Sequence, residues 1–127
     1  MFQFTYLLSS IIILLVDSVY LNTFSSYYNN QVKLVQNSPI KLNILGVGLS
    51  YLFIIIIFNL FVLGYNMTLY ESFLLGFLIY GIYEATNLAI FKKWSIMSVF
   101  IDTLWGGLLF LIVNFIMKQI KKFKFKL

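Results

Sequence analysis

Four apolar segments, each long enough to cross a lipid bilayer, make up most of the chain. They cover approximately residues 2–24, 43–63, 68–91 and 95–117, and about 20 helical residues cross the hydrocarbon core. Within lipid, backbone amides find no water, so only helices or a closed barrel satisfy them. The Ile54–Ile57 run does not alternate as barrel strands do. The sequence therefore predicts an all-α, polytopic integral membrane protein, a four-transmembrane-helix bundle.

A single membrane domain is predicted over residues 1–127, ending in a basic tail at 118–127. The first apolar segment is interpreted as a retained helix and not as a cleaved signal peptide. Met1–Tyr6 carries no positively charged side chain, and no cleavage site with small residues follows the apolar run.

The connections between the segments differ in length. Residues 25–42 are polar and are predicted to form the only long loop, with the single proline, Pro39, just before the second helix. The short connections Gly64–Asn66 and Lys92–Trp94 predict tight turns, so the helices on either side of each turn should form antiparallel hairpins.

Missing residue types exclude most familiar catalytic chemistry. The chain has no Cys and no His, and all nine basic residues are Lys. Disulfides, thiolate nucleophiles, imidazole bases and the usual zinc sites are therefore excluded, as is bidentate recognition of phosphate by arginine. No cofactor and no nucleic-acid partner is predicted. The predicted partner is the lipid bilayer, because lysines that follow an apolar span are typical of an anchor at lipid headgroups.

The four acidic residues all lie inside the predicted spans, whereas the lysines lie outside them or at their ends. A charged side chain near a helix centre costs about 2.5–3.5 kcal/mol on insertion scales, so such residues are functional candidates. Asp17, Glu84 and Asp102 each lie about 6–7 Å from their helix midpoint, all displaced toward the side away from the termini. Glu71 lies near the other end of its helix, where an N-terminal turn favours a negative charge.

The three acids at one level predict a proton- or cation-binding site formed by Asp17, Glu84 and Asp102, with any metal left open. Polar and aromatic side chains at the same level are predicted to support it: Tyr20, Tyr80, Tyr83, Asn87, Thr103 and Trp105. Trp94, Tyr27 and Tyr28 are assigned to interfacial aromatic belts. The competing interpretation is that protonated carboxyl groups join helices by hydrogen bonds, worth about 0.6 kcal/mol each on average in membranes.

Small residues predict which helices pack most closely. Gly76 precedes Glu84 by eight residues, Gly81 and Ala85 form a second ridge, and Gly106 follows Asp102 by four. Such spacing lets helix backbones approach each other. The third and fourth spans are therefore predicted to form the packing centre of the bundle.

Two motifs resemble an uncharacterised family of small, mostly bacterial, predicted membrane proteins that is defined only as a domain of unknown function. The family pattern reads Y-G-x-Y-D-L-T-N-L-A, a following W-P, and D-x-x-W-G, with an earlier D-x-x-W-L. This chain has Tyr80-Gly-Ile-Tyr-Glu-Ala-Thr-Asn-Leu-Ala89 and Asp102-Thr-Leu-Trp-Gly106, while Asp17 and Tyr20 approximate the earlier motif. The chain departs from the pattern at four positions: Glu84, Ala85, Tyr20 and Ser95. Each acidic position of the pattern nevertheless holds an acidic residue in this chain. The resemblance implies a four-helix membrane fold and supplies no activity.

The function predicted first is a small ion- or proton-coupled membrane transporter or channel with a buried carboxylate site. One alternative is a non-catalytic membrane component that organises lipids or partner proteins. Another is a membrane-embedded enzyme that modifies lipid; the lack of His and Arg disfavours catalysis without deciding the question. Because four short helices enclose little volume, a homo-oligomer, most simply a dimer, is expected.

Lysine placement predicts a weakly specified orientation. Five lysines lie on the side of the termini and four on the opposite side. The excess favours cytoplasmic termini by the positive-inside rule. The ion, its direction of movement and the membrane concerned are not specified by the sequence.

Overall fold

The structure is a computed structural model that describes residues 2–126, with side chains from 3 to 124. The last side chains of the predicted basic tail, 125–127, lie outside this range. The described residues form five α-helices: α1 (Phe2–Thr23), α2 (Ser25–Gln36), α3 (Ile44–Ile57), α4 (Leu69–Ile90) and α5 (Ile96–Lys126). A π-helical segment, Phe58–Leu63, continues α3 without a break.

Four of the helices are long and apolar enough to cross a membrane, as the sequence predicts. The candidate spans are Gln3–Thr23, Ile44–Leu63, Leu69–Ile90 and Ile96–Lys124. The predicted four-span, all-α fold class is thus confirmed. The helix bounds differ from the predicted ones by one residue, except that α5 continues as a helix through the segment predicted as a basic tail.

The helix α2 was not predicted from the sequence, and the prediction of a loop over its residues is wrong. Its composition is polar, so no apolar run marks it, and with 12 residues it is too short to span a bilayer. The buried Gln31 side chain ties α2 to the start of α5: its amide nitrogen donates to the Lys93 carbonyl at 2.8 Å, and its amide oxygen accepts from Ser98 Oγ at 3.1 Å. Tertiary hydrogen bonds therefore anchor this helix on the bundle.

The closest helix pair is α4 with α5, which confirms the prediction from small residues. A Cβ atom added to Gly76 would lie 2.1 Å from the Gly106 carbonyl oxygen, and one added to Gly107 would lie 2.6 Å from the Phe73 ring. Only glycine allows the two backbones to approach this closely.

The predicted N-terminal role of Glu71 agrees with the start of α4. Its carboxylate accepts from the Thr68 backbone N–H at 2.8 Å, and Thr68 Oγ1 accepts from the Glu71 backbone N–H at 3.2 Å. This reciprocal pair is a capping box, which satisfies two backbone donors at the helix start. Glu71 is therefore a structural residue of the helix terminus.

The two halves of the bundle differ in packing. On the side of the termini, an apolar core includes Ile13 of α1, Phe58 and Val62 of the π-helical segment, and Phe110 of α5, all fully buried. On the opposite side α3 has no buried residue. The turn at Gly64–Asn66 forms where it was predicted, but α3 packs on α1 and a cavity separates it from α4.

Candidate functional site

The structure brings the three predicted carboxyl groups together in the open half of the bundle. Glu84 on α4 is 1% exposed and Asp17 on α1 is 6% exposed. Asp102 on α5 lines the same cavity as Glu84 on α4, and the two carboxyl groups lie close enough to interact. Two ionised carboxylates so close together in a buried site would repel each other.

The ring N–H groups of both tryptophans of the chain donate to these acids. Trp94 Nε1 lies 2.7 Å from Glu84 Oε2, and Trp105 Nε1 lies 2.9 Å from Asp17 Oδ1. The hydroxyl of Tyr51 on α3 donates to Asp17 Oδ2 at 2.5 Å. Each acid is thus held by neutral donors, which stabilise a negative charge without cancelling it.

Two tyrosines extend the network from Asp102 to α2. The Tyr20 hydroxyl donates to Asp102 Oδ1 at 3.1 Å, and it lies 2.7 Å from the Tyr28 hydroxyl. Since Tyr20 has a single proton to donate, Tyr28 is the donor of the second bond. Burial raises the pKa of Tyr28, so its hydroxyl stays protonated at physiological pH. The Tyr20 ring also stacks on Trp105, with centroids 4.6 Å apart. This aromatic pair therefore bonds two acids, Asp102 through Tyr20 and Asp17 through Trp105.

A cavity of about 790 Å³ adjoins the three acids. Its walls come from all five helices, and Asp17, Glu84 and Asp102 all line it. The residues on its open side are strongly exposed: Leu42 at 73%, Phe53 at 58% and Tyr83 at 58%. The cavity therefore opens between α3 and α4, on the half of the bundle away from the termini.

The predicted supporting residues divide into two groups. Tyr20 and Trp105 bond to the acids, and Tyr80 and Tyr83 line the cavity. Asn87 and Thr103 are buried outside the cavity wall, and their Nδ2 and Oγ1 atoms have no hydrogen-bond partner among the described residues. A Cβ atom on Gly81 would lie 3.3 Å from Thr103 Cγ2, so Thr103 belongs to the α4–α5 contact.

Two donors to the acids were not predicted. Trp94 was assigned only to an interfacial belt, and Tyr51 was not singled out at all. Tyr51 is the only aromatic residue with a hydroxyl inside the second apolar segment. That isolated polar group, at the level of the acids, is the one signal that could have identified it.

The acids do not form a metal site of the usual kind. Across the part of the chain that the structure describes, no group of three or more acidic side chains is arranged to hold a metal ion. What the arrangement offers is two neighbouring carboxyl groups on α4 and α5, a third carboxyl group in the same cavity lining and a chain of hydroxyl groups. These can hold and exchange a proton or attract a cation.

The predicted membrane protein family DUF2177 has a family model that matches residues 2–117. The chain belongs to this family. Membership in DUF2177 confirms the family resemblance drawn from the sequence and the assignment as a membrane protein. The match includes all three carboxyl groups and ends before the predicted basic tail. No curated protein and no solved structure matches the chain. Since DUF2177 is described only as a predicted membrane protein, function must be argued from the site itself.

Proposed function

We propose that this protein is a small proton- or cation-coupled membrane transporter or channel whose binding site is formed by Glu84 and Asp102, assisted by Asp17. The observation that carries the proposal is the chain of hydrogen bonds from Tyr28 through Tyr20 to Asp102, which lines the same cavity as Glu84. Tyr28 lies on α2, outside the candidate spans, and Glu84 lies within α4. The chain therefore links the half-buried Asp102, beside the buried Glu84, to one face of the bundle.

The character of the donors favours exchange of a proton or cation over a purely structural role. A lysine would form a lasting ion pair with these acids, but no lysine with a described side chain lines the cavity. Indole N–H and phenol O–H groups support a carboxylate and leave its charge available. A buried charge without an ionic partner is costly in a membrane, which is the usual mark of a functional residue.

Transport across the membrane requires a continuation of this path toward the termini. The apolar core around Phe58 and Phe110 closes that half of the single chain. We expect either a rearrangement of this half or a path shared with a second copy, most simply in a two-fold dimer. We expect the termini to face the cytoplasm, from the small excess of lysines on their side.

Proton flux into liposomes tests the proposal. Protein is reconstituted with an internal pH-sensitive dye, a pH gradient is imposed, and the membrane potential is clamped with potassium and valinomycin. Wild-type protein should dissipate the gradient faster than protein-free liposomes. Glu84→Gln and Asp102→Asn should reduce the rate to that of protein-free liposomes, because an amide cannot take up and release the proton.

Glu71→Gln is the matched control for Glu84→Gln. It removes the other carboxyl group of α4, and glutamine still serves in a capping box. This variant should conduct as the wild type does. Equal flux in wild-type and Glu84→Gln liposomes would contradict the proposal, as would a wild-type rate equal to that of protein-free liposomes.

A second candidate is a structural membrane component in which the acids join helices. The cross-helix bond between Tyr51 and Asp17 favours it. If this is the role, Glu84→Gln and Asp102→Asn lower the melting temperature in detergent and no variant changes proton flux.

A further inference from the structure

The cavity beside the carboxyl groups is much larger than a proton or a small cation needs. Its volume of about 790 Å³ lies within the range of pockets that hold small organic molecules, about 300–1,000 Å³. The binding site of the proposed function occupies only part of its wall. The remaining volume is large enough to hold a small organic molecule.

The residues that line the cavity favour a ligand with a positive charge. Aromatic rings accompany the three acids in the cavity lining: Tyr20, Tyr28, Tyr51, Tyr80, Tyr83 and Trp94. Rings of this kind attract ammonium groups through their electron-rich faces, and quaternary ammonium groups are bound in proteins by such aromatic cages. Carboxylates among the rings add direct charge complementarity.

The described lining of the cavity offers no positively charged side chain to an anion. Among the residues whose side chains the structure describes, no lysine contributes to its lining. A phosphate or carboxylate placed there would meet acids without a compensating cation. The lining therefore disfavours a phospholipid, whose headgroup carries a phosphate, and favours an organic molecule with a positive charge alone.

The remaining walls are apolar and open sideways. One side of α3 lines the cavity with apolar residues: Val47, Phe53, Ile54 and Ile57. Ile79 of α4 lines the facing wall. Because α3 has no buried residue and the cavity lies between it and α4, this side is not sealed. A molecule with an apolar body can therefore reach the acids from the hydrocarbon phase.

We propose that the cavity binds an organic ammonium ion with an apolar body, which enters between α3 and α4 and places its cationic group against Glu84, Asp102 and the surrounding rings. This inference rests on the proposed function, because it names the substrate class of the same carboxyl site. The bound cation and a proton would then compete for the carboxyl pair.

Binding of a labelled ammonium ion tests the inference. Protein in nanodiscs of uncharged lipid is equilibrated with tritiated phenyltrimethylammonium, and protein-free nanodiscs give the background. Saturable binding is expected, and Glu84→Gln should weaken it roughly tenfold or more. The neutral isostere tert-butylbenzene, which has the same shape without the charge, should not displace the probe. Displacement by the neutral molecule at equal concentration would overturn the assignment of a cationic ligand.

Two glycines of α3 provide a matched pair of variants that leave every carboxyl group intact. Gly46 lines the cavity, and a Cβ atom there would contact only Asn43, at 4.0 Å. Gly48 is not part of the lining and has no atom within 4 Å of an added Cβ. Gly46→Phe should reduce probe affinity roughly tenfold by filling the cavity, whereas Gly48→Phe should change it by less than about twofold. Equal binding by both variants would place the ligand outside this cavity.

The flux assay separates failure of the inference from failure of the proposed function. Proton flux that depends on Glu84, without probe binding above the background, would overturn the organic cation and leave the transporter proposal standing. Absence of both would overturn both. Probe binding that is lost in Gly46→Phe, together with flux that depends on Glu84, would support both.

Discussion

The close contact of α4 with α5 predicts that Gly76→Ala destabilises the protein strongly. The added methyl carbon would lie 2.1 Å from the Gly106 carbonyl oxygen and 2.8 Å from Cγ of Phe110. The nearer atom belongs to the backbone, so no side chain can move aside, and the helices must separate by about 1 Å to restore ordinary van der Waals contact. Overpacking of this kind costs about 1–3 kcal/mol.

Gly48→Ala is the matched control, because it makes the same chemical change in a helix where nothing lies within 4 Å of the new methyl group. There the substitution keeps the gain of about 1 kcal/mol that alanine has over glycine in a helix. Because both glycines are in helices, this gain cancels, and the two variants should differ by the overpacking cost of about 1–3 kcal/mol in free energy of unfolding. Reversible unfolding by SDS in mixed micelles measures this difference.

Equal stability of the two variants would refute the close approach of α4 and α5. The substitution should also act on the site, since Glu84 lies about two helical turns along α4 from Gly76 and its partner Asp102 lies on α5. Separation of the helices moves the two carboxyl groups apart. We therefore expect Gly76→Ala to lower proton flux even in the fraction of protein that remains folded.

Two further predictions concern buried amide side chains. Gln31→Ala should weaken the attachment of α2 to the bundle by about 1–3 kcal/mol, because its partner groups are left unpaired. Hydrogen exchange should then become faster in α2 and at the start of α5. Unchanged exchange there would contradict this anchoring role. Asn114 donates to the Met67 carbonyl at 3.0 Å and to Ser72 Oγ at 3.1 Å. Asn114→Ala should lower the melting temperature in detergent, whereas Lys118→Ala, whose amine bonds Asn66 at an exposed position, should leave it nearly unchanged.

The sequence predicts those parts of the fold that depend on the bilayer. Apolar length locates the four spans within one residue at most ends, because lipid admits few alternatives to a helix of fixed length. The depth of Asp17, Glu84 and Asp102 follows from the rise per residue alone, and the structure brings these acids together. Helix α2 has no such constraint, since its position depends on bonds from Gln31 to residues more than 60 positions away.

The partners of the acids are harder to predict for the same reason. Tyr51 and Asp17 are 34 positions apart, and Trp105 and Asp17 are 88 apart. Rotation of each helix about its axis decides such pairs, and a nearly uniform apolar sequence leaves that rotation unspecified. Asn87 and Thr103 share the level of the acids but turn away from the cavity. The depth of each side chain along its helix could therefore be predicted, but the direction in which it points from the helix axis could not.

The pairing of each tryptophan with a different carboxyl group gives this protein an internal optical probe. The chain contains two tryptophans; one indole donates to Glu84 and the other to Asp17. Indole fluorescence responds to the charge of a hydrogen-bonded neighbour. In Trp105→Phe the remaining emission reports on Glu84, and in Trp94→Phe it reports on Asp17. Protonation of two different carboxyl groups can thus be followed separately without an attached dye.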